Sequence, residues 1–146
     1  MGLIDELLPT SLLALDTATF IYFIEEHPEF APRVNPLFQR LTNGDCRAIA
    51  STVTLVEVLT APIRQGNFDL AKRYGDILMN ARNLTLVPVS SAIAQRAARL
   101  RAAHGLRTPD AIIVASALES KCDHLITNDL HLKRVSELSV IMMNEL

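Results

Sequence analysis

The 146-residue chain is 49% hydrophobic and 21% charged, with a formal net charge of -2. This is too apolar for a disordered chain and long enough to bury a core, so one domain spanning 1–146 is expected. Two unclustered cysteines, Cys46 and Cys122, exclude a disulfide-stapled scaffold and a zinc-binding thiol cluster.

Residues 1–11 (MGLIDELLPTS) contain no basic residue, and Glu6 stands where a myristoylation pattern needs Ser or Thr. The longest stretch free of Lys, Arg, Asp and Glu is 83–95, shorter than the roughly 18 apolar residues of a membrane span. A cytoplasmic protein with no membrane association is expected. Residues 11–15 (SLLAL) then read as a buried strand that stops at Asp16. Helices follow over 17–25 and 31–41, separated by His27-Pro28 and closed by the Asn43-Gly44 turn.

A second strand is expected at 46–50 (CRAIA), with Ser51 or Thr52 capping a helix that carries Val53, Val56, Leu59 and Ile63 at helical spacing. Asn67 or Asp69 opens another helix, ending near Arg82. Residues 84–89 (LTLVPV) form a third strand, and the proline within it suggests a sheet edge or a strand end. Ser90 begins an Ala/Arg-rich helix that ends at His104-Gly105.

Thr108-Pro109-Asp110 is a helix start with Thr at the N-cap, Pro at the first helical position and an acid in the first turn. Its helix, AIIVASALES, is almost entirely apolar and is expected to be central. Strands at 123–127 (DHLIT) and 138–142 (LSVIM) complete the pattern. Strands alternating with helices imply an α/β fold with a mostly parallel sheet of about five short strands and helices on both faces.

Four acids stand out by context. Asp16 closes the first strand and is the only charge between Glu6 and Glu25. Glu57 is the only charge between Arg47 and Arg64, among Leu55, Val56, Val58 and Leu59. Asp110 starts the most apolar helix, and Asp129 follows the strand ending in LIT. Ligands of open α/β sheets bind outside the carboxyl ends of the strands, within reach of all four. Each acid taken alone also fits a helix cap, Glu57 least well, since no Lys or Arg lies within a turn of it. Gathered at one edge they would repel one another unless a divalent cation joined them, and carboxylate oxygens select Mg²⁺ or Mn²⁺ over zinc.

The pieces LLALDTATFIYFIE, ASTVTLVEVLTAP, RTPDAIIVASAL and LITNDLHLKR together resemble the PIN-domain nucleases, specifically the VapC-type toxins of bacterial toxin–antitoxin pairs. The resemblance runs from about Leu12 to the C-terminus and implies a three-layer α/β/α fold. It also implies a metal site of Asp16, Glu57, Asp110 and Asp129 holding Mg²⁺ (Mn²⁺ is possible), with Thr127 orienting a ligand or water. The implied activity is endoribonuclease cleavage of an RNA substrate, with a cognate antitoxin and a homodimer as partners. The leftover apolar surface expected on the helices at Phe20–Ile24 and Leu55–Leu59 points to the same dimer. Residues 1–10 extend beyond the usual start of that family, and Asp5 and Glu6 receive no role.

Nothing before Arg33 is basic, whereas Arg64, Lys72, Arg73, Arg82, Arg96, Arg99, Arg101 and Arg107 crowd the middle of the chain. Arg96 and Arg99, expected to face solvent, are candidates for holding the RNA backbone, with Arg107, Lys133 and Arg134 as a second set nearer the acids. A non-catalytic RNA- or partner-binding module on the same fold stays open as an alternative. A phosphatase or receiver built on Asp16 is less supported, because the second acid it needs two residues on is replaced by Ala18.

Overall fold

The strands available to this chain are only three to five residues long, so the sheet is narrow along the strand direction and its carboxyl edge is close to every strand. A computed structural model describes residues 2–146, and Met1 lies outside the described residues. The strands are β1 (Leu12–Leu15), β2 (Arg47–Ser51), β3 (Leu84–Val87), β4 (His124–Thr127) and β5 (Val140–Met142). They form one sheet in the order β3-β2-β1-β4-β5, and every adjacent pair is parallel. In register, Ala14 lies between Ile49 of β2 and Leu125 of β4. Six helices pack on the sheet: α1 (Thr17–Ile24), α2 (Ala31–Asn43), α3 (Thr52–Arg64), α4 (Phe68–Asn80), α5 (Ser91–His104) and α6 (Thr108–Glu119). This is the three-layer α/β/α architecture with a five-stranded parallel sheet.

The strand alternation sorts the core into two halves. Leu13, Leu15, Ala48, Ala50 and Ile126 point to one face, where Phe20 and Ile24 of α1, Leu37 and Phe38 of α2, and Tyr74 and Leu78 of α4 cover them. Ala14, Ile49 and Leu125 point to the other, under α5 and α6. Both faces being covered explains why the strands read as apolar runs rather than alternating ones. Ala111, Ala115 and Ala117 let α6 lie close across β2, β1 and β4, which makes it the central helix expected from its composition.

The winding order matters for function. From β1 the chain moves outward to β2 and β3, then crosses back to β4 and β5. The switch in direction therefore falls between β1 and β4, where the loops leaving the two carboxyl ends diverge and open a crevice. Asp16 follows β1 directly and Asp129 lies two residues beyond β4, so both flank that point.

Several local expectations shift. The N-cap of α6 is Arg107, in extended backbone, so Thr108 and Pro109 are its first two helical residues and Thr108 does not cap. Asn67, not Asp69, caps α4, its side chain accepting from the Leu70 amide. On α3 the inward positions are Thr54, Val58 and Pro62, while Val56 and Ile63 of the apolar stripe face solvent, 65% and 53% exposed. Half of the α3 stripe thus looks outward, while Val53 and Leu59 are half-buried against the core. In α1, Phe20 and Ile24 are spent in the core, and Ile21, Tyr22 and Phe23 are half-buried against it. The edge position of β3 agrees with Pro88, which follows its last residue.

Residues preceding β1 also belong to the core. A short 3-10 turn, Leu3–Glu6, leads to Leu7, which is buried with Met143 in the half covered by α1 and α2. Asp5 and Glu6 stay exposed. We predict that Leu7→Ala lowers unfolding free energy by about 2–3 kcal/mol. Leu8→Ala, at a position 60% exposed, should change it by no more than about 0.5 kcal/mol. Urea unfolding midpoints of the two variants check this.

Candidate functional site

Asp16 joins three elements. Its amide donates to the Ile126 carbonyl of β4 at 3.0 Å, which fixes the end of β1 against its neighbour. One carboxylate oxygen, Oδ1, accepts from the Thr17 amide at 2.8 Å and so caps α1. The other, Oδ2, accepts from the Thr127 hydroxyl at 2.6 Å. Thr127 is fully buried, and its Oγ1 accepts in turn from the Asp129 amide at 3.1 Å. One hydroxyl thus ties the turn after β4 to the acid after β1.

Glu57 is half-buried on the inward-turning side of α3. No cation within its own turn compensates it. Instead, the Thr17 hydroxyl donates to its Oε1 at 2.6 Å. Thr17 Oγ1 also lies 3.1 Å from Thr54 Oγ1. A hydroxyl has one proton, and here it is committed to Glu57, so Thr54 must donate to Thr17. The result is a directed chain, Thr54 to Thr17 to Glu57, that links α3 to the first residue of α1.

Asp110 sits at the start of α6, 7% exposed, and is gripped by Arg107. Arg107 Nε donates to Oδ2 at 2.9 Å and Nη2 to Oδ1 at 3.3 Å. Asp129 caps the 3-10 turn Leu130–Arg134, its Oδ1 accepting from the His131 amide at 2.9 Å. Beside it, the Asn128 amide group donates to the Tyr22 hydroxyl at 3.3 Å. The four acids come from four separate segments, yet all line one cavity of about 460 Å³, together with Thr17, Tyr22, Arg107 and Asn128.

Crowding has an electrostatic signature. The Asp16 carboxyl is pushed up to about 6 from an ordinary 3.8, chiefly because burial strips water from its charge. Hydrogen bonds from Thr127 and the Thr17 amide pull it back, and the nearby charges of Asp110 and Glu57 push it further up. Arg107 is also raised, which in its case favours the charged form: its bond to Asp110 and the attraction of Asp110, Glu57 and Asp129 hold its proton more firmly. The cavity therefore has a field that favours positive charge.

The donors facing the cavity are all oxygen, a set that fits a hard divalent cation such as Mg²⁺ or Mn²⁺. Among the described residues no three His, Cys, Asp or Glu side chains already converge on one ion-sized point. Repulsion and separate partners explain the spacing, since each acid is tied to a different donor. All five residues singled out in the sequence (Asp16, Glu57, Asp110, Asp129 and Thr127) fall at this cavity or directly against it. Sequence reasoning missed Thr54, Asn128 and the grip of Arg107 on Asp110. The Arg107 signal was present in its spacing three residues before Asp110, the span from an N-cap to the third helical residue.

Of the basic residues, Arg96 departs from expectation. Rather than facing solvent freely, it pairs with Glu119 at 3.0 Å, at the end of α6 opposite Asp110. Arg99 is exposed. The histidines take ordinary roles: His27 Nδ1 accepts from the Glu29 and Phe30 amides, and His104 pairs with Glu137. Cys46 is a small core residue and Cys122 is half-buried, neither bonded to the other. No helix among the described residues is long and apolar enough to cross a membrane.

A parallel sheet with an acid-lined crevice at its switch point defines an open α/β fold with its ligand crevice at the carboxyl ends of the strands. Within that class the assignment is specific, because the PIN domain family model matches residues 13–138, and the chain belongs to that family. No curated protein matches the sequence. Solved structures with the same fold include VapBC2 from Rickettsia felis bound to a promoter DNA fragment, with a TM-score of 0.70 at 20% identity, covering 90% of this chain and 98% of that one. A toxin–antitoxin complex from Klebsiella pneumoniae gives 0.69 at 22% identity, covering 94% of this chain and 100% of that one. VapC20 of Mycobacterium tuberculosis, a toxin that cleaves the sarcin–ricin loop, gives 0.68 at 14% identity, covering 87% and 98%. Similarity at these identities is a similarity of fold.

The raised Asp16 carboxyl carries a pH dependence. In the metal-free protein the folded state holds this proton between pH 3.8 and about 6 while the unfolded chain releases it, so wild-type stability falls as pH rises through that window. Asp16→Asn removes the buried charge and should stabilise the metal-free protein at pH 8 by on the order of 1–3 kcal/mol. The gain should shrink as pH falls through 6 and be absent near pH 4. Denaturant titrations with chelator at several pH values check it.

Proposed function

We propose that this protein is a metal-dependent endoribonuclease that hydrolyses RNA phosphodiester bonds and acts as the toxin of a toxin–antitoxin pair in the cytoplasm. The observation that carries the reading is the convergence of Asp16, Glu57, Asp110 and Asp129 from four segments onto one cavity at the switch point. Membership of the PIN domain family and the likeness of fold to toxin–antitoxin proteins support it. The described chain serves as a single nuclease domain on this reading.

In the proposed mechanism Asp16, Asp110 and Asp129 hold Mg²⁺ (or Mn²⁺) directly, and Glu57 holds it directly or through water. The ion supplies Lewis-acid activation of water and neutralises charge developing on the phosphodiester. Thr127 keeps the Asp16 carboxylate oriented, leaving its capping oxygen pinned to α1. The Thr54–Thr17 chain does the same for Glu57 by holding its Oε1. Tyr22 and Asn128 form an uncharged wall against which a nucleotide packs.

Partners follow from surface chemistry. An acid-lined cavity favours a guanidinium, so the cognate antitoxin inhibits by placing an Arg among the carboxylates. The outward stripe of α3, where Leu55, Val56, Leu59 and Ile63 line an apolar groove, is the face that a second copy covers in a homodimer. On the α1 surface expected to share this role, Phe20 and Ile24 are buried while Ile21, Tyr22 and Phe23 are half-buried.

Asp16→Asn and Asp110→Asn should each lower Mg²⁺-dependent RNA cleavage by at least 100-fold while circular dichroism stays that of the wild type. Cleavage at the wild-type rate by either variant would overturn the site assignment. For the dimer, light scattering should give twice the chain mass. Val56→Glu with Ile63→Glu should halve it, because each copy would bring two carboxylates to the face that the other covers.

A further inference from the structure

Arg107 stands at the wall between two cavities. One is the acid-lined cavity already described. The other, of about 380 Å³, shares Arg107, Asp110 and Asp129 with it but is otherwise lined by His131, Arg134 and the Gly105-Leu106 backbone. Its charge is mixed where the first is negative. Arg134 pairs with no carboxylate among the described residues, and its Nε donates only to the His131 carbonyl at 3.4 Å. A cation-bearing recess beside a row of acids has the chemistry of a phosphate site.

The hold of Arg107 on Asp110 is well formed but loosely kept. Its two bonds are bidentate, yet the Arg107 side chain is 73% exposed, so water and salt compete for it. It also sits at the N-terminus of α6, where the helix dipole stabilises Asp110 but repels a cation. Its backbone is the N-cap, following Gly105 at φ 66 and Leu106, in a connection of three residues between α5 and α6. No packing locks the guanidinium in place. A divalent cation taken up by Asp110 would compete for the same two oxygens and repel Arg107 as a like charge.

We propose that Arg107 is an exchangeable counter-ion that leaves Asp110 when a divalent cation takes that carboxylate and turns into the adjoining recess, where with Arg134 and His131 it binds a phosphate of the RNA backbone. This rests on the assignment of the acids as the cation site. One side chain thereby couples the two ligands: the cation frees Arg107 for the phosphate, and the phosphate draws Arg107 off Asp110. The coupling is reciprocal by necessity.

The test measures Mn²⁺ binding by calorimetry, without RNA and with a single-stranded 2′-O-methyl RNA of mixed sequence, verified by gel to be intact after the titration. Arg107→Ala should bind Mn²⁺ about three- to fivefold more tightly than wild type without RNA, because a competitor is gone. The same variant should bind the RNA more weakly, with a salt slope lower by about 0.7, the contribution of one phosphate contact. The RNA should tighten Mn²⁺ binding in the wild type and not in Arg107→Ala. Arg134→Ala should weaken RNA binding with Mn²⁺ affinity unchanged when RNA is absent, which separates the recess from the acids. If Asp110→Asn abolishes Mn²⁺ binding while Arg107→Ala leaves it within twofold, or if RNA tightens Mn²⁺ equally in both proteins, the exchange is wrong and the site assignment survives. If Asp110→Asn leaves Mn²⁺ binding unchanged, both fall together.

Discussion

Like-charge repulsion among Asp16, Glu57, Asp110 and Asp129 is the constraint around which the carboxyl edge of this sheet is built. Four acids lining a cavity of about 460 Å³ cannot all be charged without partners. The chain answers with a different donor for each. Asp16 has a buried hydroxyl and a backbone amide, Glu57 has a hydroxyl backed by a second hydroxyl, Asp110 has a guanidinium, and Asp129 has an amide. Neutral donors serve Asp16, Glu57 and Asp129, and Arg107, the one cation lining the cavity among the described residues, reaches buried Asp110 from an exposed position. Asp16 is pushed up to about 6, chiefly by burial and further by the charges of Asp110 and Glu57.

The same donors set geometry. An Asp that is both helix cap and hydroxyl acceptor has both oxygens committed, so its orientation follows from β1, α1 and β4 together rather than from its own rotamer. The Thr54–Thr17–Glu57 chain does this across α3 and α1. In this way the parallel sheet does more than bring segments near one another. It lends the rigidity of its ladders to side chains that leave its edge, as a preorganised site requires.

The strands, the helix order and the four acids were legible in the sequence because each has a local cause. LLAL and HLIT are short apolar runs closed by polar residues, and a charge isolated on an apolar helix, as at Glu57, has few innocent explanations. What was not legible depends on pairs that meet only in the folded chain. Thr54 and Thr17 are 37 residues apart, and nothing in either neighbourhood announces the meeting. The stripe Val53, Val56, Leu59, Ile63 has the period of a buried face, yet periodicity says only that one side differs from the other. Here α3 turns Thr54 and Val58 inward because Thr17 and the core beneath α1 are there to receive them. The cap of α6 moved by one residue for a similar reason: Arg107 takes extended backbone and grips Asp110, so the helix begins one residue before its proline.

The two outer strands have a consequence for how this molecule can associate. β5 is three residues long, and β3 runs directly into Pro88, which has no amide proton to offer. Both borders are short, which leaves few free N–H and C=O groups to template a neighbouring strand and blunts the sheet against strand addition. A chain that is nearly half hydrophobic is in this way guarded against polymerising through its backbone. Stable contacts then fall chiefly to side chains, and are therefore open to discrimination between one partner and another.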